Sequence, residues 1–271
     1  MDKKALKLLH TGKAVEFDRY LGELTTEEKG ELLNTIFVHG DSIAHFAARE
    51  HKHEILKVLA QHHCNFEISN DNGKIVHDPS LNDSTGYTEL AKYLVDTYPE
   101  ATMVVSKSGR LSVQTAARCN TDPSLTLYLL KNSSSPPDAI LNHQDNSGQT
   151  LLQDAVASKN IDLVRVLLEE YKADANVPDK LGRTAVHHAA MIGALTVLTV
   201  FHDLHDSQKT VIKWDLPDSW DQWTPLMHAA REGNIECASY LITCCHCDAS
   251  KKDKQGRTAQ DIGEWIEIND G

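Results

Sequence analysis

No apolar run in this chain approaches the length needed to cross a bilayer, so a helical membrane span is not expected. Aromatic side chains make up 6% of the 271 residues. That is too few for a large β-core, and the abundance of Leu, Ala and Val favours layers of small helices. Basic residues are outnumbered, 27 against 39 acidic, for a formal net charge of -12. An acidic chain has no long-range attraction for phosphate backbones, so general nucleic-acid binding is not expected. The six cysteines are irregularly spaced, with three inside Cys244-Cys245-His246-Cys247. A secreted disulfide framework is not spaced this way. The opening Met1-Asp2-Lys3-Lys4-Ala5-Leu6 lacks the apolar stretch of a signal peptide. Reduced thiols and a cytoplasmic, possibly also nuclear, protein are therefore the expectation. Walker-type and Rossmann-type glycine loops are missing, as is any Ser-His-Asp or Cys-His set at fixed spacing. Neither a cofactor nor catalysis is expected.

What is there is a repeat. Asp179-Lys180-Leu181-Gly182-Arg183-Thr184-Ala185-Val186-His187-His188-Ala189-Ala190 is its clearest copy. Others are Asp145-Asn146-Ser147-Gly148-Gln149-Thr150-Leu151-Leu152, Trp223-Thr224-Pro225-Leu226-Met227-His228-Ala229-Ala230 and Asp253-Lys254-Gln255-Gly256-Arg257-Thr258-Ala259. Weaker copies begin at Gly40-Asp41-Ser42, Asn72-Gly73-Lys74 and Ser108-Gly109-Arg110. Thr150 to Thr184 is 34 residues and so is Thr224 to Thr258, whereas Thr184 to Thr224 is 40 and carries an insertion. An apolar helix pattern follows each copy, as in Leu163-Val164-Arg165-Val166-Leu167-Leu168.

Thr184 and Thr224 suit helix caps, and Pro225 suits the first helical position, where its missing N–H costs nothing. The Ala-Ala pairs leave room for a neighbouring helix. One such helix pair cannot bury its apolar faces alone, so stability must come from stacking.

These residues resemble the ankyrin repeat, with its turn, Thr-Pro-Leu-His-x-Ala-Ala helix, Gly and Leu-Leu helix. The resemblance runs from about residue 35 to 265. It implies an all-α ankyrin-repeat solenoid of about seven helix-pair units, forming a single domain over residues 1–271. An N-terminal cap is expected over about 1–35, with a first helix pair in residues 3–21, and a capping unit over 253–271. There Thr258 to Ile268 reads as the closing helix, with Glu264, Glu267 and Asp270 facing water. Val76 to Tyr87, Asn132 to Asp138 and His202 to Pro217 depart from the pattern and read as loop insertions.

The resemblance also implies the function, a non-catalytic protein–protein interaction scaffold, expected to be a monomer. Its turn tips and first helices would line a concave face. There the residue before each capping position is Lys74, Arg110, Gln149, Arg183, Trp223 or Arg257, and the one after Ala-Ala is Arg49, Arg118, Met191 or Arg231. Arg110, Arg118, Arg183, Trp220, Trp223, Arg231 and Arg257 are the candidate partner-binding residues, since Arg and Trp are frequent hot spots. An acidic or extended segment is the expected partner. The competing reading pairs the arginines with the turn aspartates Asp145, Asp179, Asp221 and Asp253, in bridges worth about 0–1 kcal/mol each.

Other features carry their own alternatives. His45 and His187 stand at the motif histidine, whose implied role is a bond to the capping residue or backbone. Asn176, in Leu168-Glu169-Glu170-Tyr171-Lys172-Ala173-Asp174-Ala175-Asn176, resembles an asparagine hydroxylated in this family, or else bonds within its own turn. Cys244-Cys245-His246-Cys247 could hold zinc, but adjacent cysteines lack the usual ligand spacing, and Cys247 falls where the repeat wants a small buried residue like Ala173. Finally, Gln144–Ala155, Asp179–Ala190 and the Tyr98–Ala117 segment are similar to a family member associated with alanyl-tRNA synthetase. That protein accepts misactivated serine on lysines, which match no positions here.

Overall fold

The computed structural model describes residues 3–50, 52–66, 68, 70–71, 86–97, 99–119 and 122–263. These residues are helical, without a strand; Ile36 and Ser42 form an isolated β-bridge. No described helix is long and apolar enough to cross a membrane. The chain divides into two compact units, residues 1–119 with 124–135, and residues 120–123 with 136–271.

In the first unit, α1 (Lys3–Thr11) packs on α2 (Ala14–Glu23) and buries Ala5, Leu8, Leu9, Phe17, Tyr20 and Leu21. This is the helix pair expected over residues 3–21. A third helix, α3 (Thr26–Leu33), starts on a capping box in which Thr25 and Glu28 satisfy each other's backbone N–H groups. Ser42 caps α4 (Ile43–Arg49) with His45 as its counterpart, and α5 (His53–Gln61) packs back on both α4 and α2. Next come α6 (Gly86–Thr97), α7 (Ser112–Cys119) and α8 (Ser124–Lys131), with α8 against both others. Of Val76–Tyr87 only the last two residues are described, at the start of α6; Lys74 lies outside the described residues.

The second unit opens with the one-turn helix α9 (Pro137–Leu141), so Asn132–Asp138 is a loop only up to Pro136. Three helix pairs follow: α10 (Leu151–Ala157) with α11 (Ile161–Glu169), α12 (Ala185–Met191) with α13 (Leu195–Asp206), and α14 (Pro225–Arg231) with α15 (Ile235–Thr243). A short α16 (Ala259–Ile262) closes the stack; Glu264, Glu267 and Asp270 lie outside the described residues. First helices contact first helices and second contact second along the stack, which makes this unit a solenoid. The cause is in the sequence. Ala189-Ala190 and Ala229-Ala230 are small and buried on the first helices, and Leu163, Leu167, Leu198 and Leu241 are buried on the second helices.

The expectation that His202–Pro217 is a loop needs correction. Its first five residues continue α13, which runs 12 residues against nine in α11. The longer helix has a purpose. Trp214 stands where the preceding repeat has Ala175, and its ring meets His202 and His205 edge-on, with centroids 6.2 and 6.1 Å away. His202 Nδ1 also lies 2.9 Å from the Tyr240 hydroxyl. The inserted segment is thus packed onto the second helices.

Candidate partner-binding edge and its internal bracing

The turns that precede the first helices of the second unit are built around one aspartate each. Asp179 Oδ1 accepts from the N–H groups of Leu181 and Arg183 at 2.8 and 2.9 Å. Asp145 does the same for Ser147 and Gln149, and Asp253 for Gln255 and Arg257. In the remaining turn that carboxylate belongs to Asp218, bonded to the N–H groups of Asp221 and Trp223 at 3.1 and 3.0 Å. The turn aspartate expected at Asp221 is therefore corrected to Asp218. The turn is one residue longer, and Gln222, at φ 59°, takes the left-handed position that Gly148, Gly182 and Gly256 hold elsewhere. Without a glycine to mark it, the longer turn does not align with its neighbours in sequence.

The second carboxylate oxygen braces the helix that follows. Asp179 Oδ2 accepts from Arg183 Nε and His188 Nε2, both at 3.1 Å. Asp218 Oδ2 accepts from His228 Nε2 at 3.0 Å. Asp253 Oδ2 accepts from Arg257 Nη2 at 2.8 Å and from Trp223 Nε1 at 3.1 Å. Burial alone would raise the Asp179 carboxyl. The His188 bond, the Arg183 backbone bond and the charges of both residues outweigh it and hold the group at about 2. Asp253 is likewise held at about 2, by Arg257 above all. In the first unit Arg49 pairs with Asp41, which also accepts from Asn70 Nδ2 at 2.9 Å.

The expected partner-binding residues therefore divide. Arg183, Trp223 and Arg257 are half-buried and braced, with the Arg257 guanidinium 5.9 Å from the Trp223 ring centroid and the His228 ring 5.2 Å away. Trp220 and Arg231 are exposed, and their side chains make no hydrogen bond or ion pair among the described residues. Arg110 and Arg118 belong to the first unit, Arg110 half-buried before α7 and Arg118 exposed near its end.

His187 fills the motif role expected of it. Its Nδ1 accepts from the Thr184 N–H at 3.0 Å. Its Nε2 must then carry the proton and donate to the Trp223 carbonyl, 3.2 Å away in the next repeat. Burial, reinforced by His228, pushes this imidazole down to about 4, so it is neutral near pH 7. Gln153 makes the same link one repeat earlier, from Nε2 to the Arg183 carbonyl at 3.0 Å. His45 Nδ1 accepts from Ser42 N–H at 3.2 Å.

Asn176 does more than bond within its turn. Its amide donates to Asp174 Oδ1 at 2.9 Å and to the Val211 carbonyl at 2.7 Å, and its oxygen accepts from Lys213 N–H at 2.8 Å. Asp215, in the equivalent place, accepts from Asp248 N–H at 3.1 Å. At the cysteine cluster, Cys247 N–H bonds Leu241 O just as Ala173 N–H bonds Leu167 O, both at 2.9 Å. Cys247 is the small buried residue the repeat needs. Burial pushes its thiol up, and that of Cys245 to about 12. Among the described residues no three His, Cys, Asp or Glu side chains converge as metal ligands.

Sequence reasoning missed His188, His228 and Asp218. Their signal was a histidine four places after the capping threonine, paired with an aspartate ahead of it.

Comparison with known proteins fits this geometry. The family described as ankyrin repeats matches in three copies, over residues 81–179, 113–211 and 202–262. The chain is 30% identical over 122 residues, 45% of its length, to a probable 26S proteasome regulatory subunit p28 of Saccharomyces cerevisiae, covering 50% of that protein. It is 36% identical over 121 residues, 44% of its length, to the neurogenic locus notch homolog protein 1 of Xenopus tropicalis, covering 4% of it. The chain thus spans half or less of these curated relatives. The solved ankyrin repeat domain of Bcl-3, a member of the IkappaB protein family, superposes with a TM-score of 0.64 at 21% identity, over 82% of this chain and 94% of that one.

Proposed function

The chain belongs to the ankyrin-repeat family, and on that premise we propose that it binds a protein partner along the turns and first helices of its second unit, without catalysis. A protein–protein interaction scaffold is the role this repeat supports. Fold alone does not choose a partner, so the argument rests on particular side chains. The observation that carries the reading is the division just described. The side chains of Trp220 and Arg231 are exposed and make no hydrogen bond or ion pair among the described residues, while Arg183, Trp223 and Arg257 stiffen the turns around them. An exposed Trp on a rigid turn is a low-entropy anchor for a partner.

Affinity purification from native cell extract tests this. A Trp220→Ala/Arg231→Ala double variant with an unchanged circular dichroism spectrum should lose the captured protein. Undiminished capture sinks the proposal.

A second reading is association with alanyl-tRNA synthetase and acceptance of misactivated serine on lysine, and one observation favours its acceptor chemistry. Lys29 Nζ lies 3.0 Å from His62 Nδ1, and His62 Nε2 lies 2.7 Å from Asp18 Oδ1. His62, oriented by Asp18, can take a proton from the Lys29 ammonium; the free amine then attacks the activated seryl carbonyl, forming an amide as the C–O bond to the activating group breaks and that group leaves. Incubation with a mischarging synthetase should then leave a seryl adduct on Lys29, read by mass spectrometry; an unmodified Lys29 removes this reading.

A further inference from the structure

On the turn edge of the second unit the exposed charged groups are cations, although the whole chain is acidic. All four of its turn aspartates point inward; Asp145, Asp179, Asp218 and Asp253 are 5–8% exposed, their oxygens taken by backbone N–H groups and, in the last three, by Arg, His or Trp. What faces out is different. Lys180 and Lys254 are exposed, and so are Leu181, at 40%, and Trp220, at 71%. Asp221, half-buried, is the acidic side chain left among them.

These residues are held side by side. Lys180 N–H donates to the Ser147 carbonyl at 2.9 Å, Ser219 N–H to Leu181 at 2.8 Å and Lys254 N–H to Asp221 at 3.0 Å, so each tip is bonded to the next. Lys254 Nζ also donates to the Ser219 carbonyl at 3.2 Å and to that of Trp220, which fixes a cation beside the exposed indole. Gly182, at φ +81°, lets the Ser219 tip come so close that an added Cβ would stand 2.4 Å from Ser219 N.

Resting on the scaffold reading above, we infer that this edge, made of Lys180, Leu181, Trp220 and Lys254, docks an extended acidic segment carrying one bulky apolar side chain. Charge complementarity selects that occupant. Two ammonium groups flank two exposed apolar side chains, so carboxylates on either side of a Leu or Phe can meet both at once. Outside the edge the chain's excess negative charge repels the same segment, which sets both position and register. Arg183, Trp223 and Arg257 touch no partner in this arrangement; they hold the tips in place.

Selection of a displayed library of random 12-residue peptides on the intact chain tests the assignment. Enriched peptides should carry Asp and Glu around one apolar residue. Synthetic peptides from that set should bind at least about 30-fold more weakly to Trp220→Ala and to Lys180→Glu/Lys254→Glu. Both variants keep every turn aspartate, and unchanged thermal melting shows that they fold. Lys7→Glu, exposed on α1 of the other unit, should bind as the parent does. Enriched peptides that lack acidic residues, or that bind the edge variants normally, overturn the edge and leave the scaffold reading standing. No enrichment, together with no partner captured from extract, overturns both. A labelled single-stranded DNA 12-mer that binds more tightly than the peptides also overturns the inference, because it would make the edge a general polyanion site.

Discussion

His187 Nε2 donates to the main-chain carbonyl of Trp223 across 3.2 Å, so a fully buried imidazole in one repeat holds the turn of the next. Gln153 holds the Arg183 carbonyl in the same way. Met227 occupies the third such position. Its sulfur accepts from Thr224 N–H at 3.4 Å, but a thioether has nothing to donate toward the last turn. Met227→Gln should therefore stabilise the second unit by about 1 kcal/mol. His187→Ala should cost about 2 kcal/mol or more, by losing a buried bond and leaving space. Urea midpoints at constant m-value measure both. A destabilised Met227→Gln protein would show that the last turn does not need the link.

The same histidine makes stability depend on pH in a definite direction. Its ordinary value of 6.5 is pushed down to about 4 in the fold, chiefly by burial, and His228 is also lowered, by burial against the opposing pull of Asp218. Between those values the unfolded chain binds the proton and the folded chain does not. The stabilisation is thus complete above about pH 6.5 and is lost as pH falls toward 4, by about 3 kcal/mol for His187 alone. His187→Gln should flatten the pH 4–6.5 limb of a thermal-melting profile. Asp179, held at about 2, acts at lower pH, between its usual carboxylate range and about 2, so the two contributions separate.

How much of this is legible in the sequence depends on which residues recur. Thr184 and Thr224 stand at the same spacing before their Ala-Ala pairs, and each of the caps Thr150, Thr184, Thr224 and Thr258 marks a helix that is present. The turn at Asp218 escapes that spacing because its extra residue puts Gln222 where a glycine would have signalled the bend. The α13 extension resembles a loop in sequence because Trp214 finds its partners only in three dimensions, against His202 and His205. The arginine strip is legible as composition alone. Sequence places Arg183 and Arg257 beside Trp220, but it does not show which side chains are already engaged to an aspartate.

Glycines at the tips differ in what they permit, and this separates two costs. Gly182 and Gly256 sit at φ +81° and +79°. Alanine at Gly256 meets nothing within 4 Å, so Gly256→Ala should cost only the left-handed strain, about 1–2 kcal/mol. Alanine at Gly182 adds a contact at 2.4 Å to the Ser219 backbone and must also push neighbouring tips away from each other. Gly182→Ala should cost clearly more in a urea titration. It should also weaken binding of an acidic peptide at the edge, whereas Gly256→Ala should not. Equal costs would mean that the tips are not held at the observed distance.

Asn176 gives the last prediction, because its side chain is the clasp on the inserted segment. It imitates a peptide group, donating to Val211 and accepting from Lys213, and so pairs with the insertion as a strand would. Asn176→Ala leaves that carbonyl and that N–H without their partner, at about 1 kcal/mol for each lost bond. Lys209, just before the clasped Val211, and the clasped Lys213 both have exposed side chains, and the Lys209 pairing with Glu169 is a surface contact that does not replace the clasp. Trypsin should therefore cut after Lys209 or Lys213 several-fold faster in Asn176→Ala, while cleavage after Lys180, on a tip that Asn176 does not touch, keeps its rate. Asn176→Asp discriminates further. It retains the acceptor for Lys213 but sets a carboxylate oxygen against both the Val211 carbonyl and Asp174 Oδ1, so its cleavage should be at least as fast as that of Asn176→Ala. Identical cleavage in all three would show that Trp214 packing alone holds the insertion, and that the asparagine is free for other chemistry.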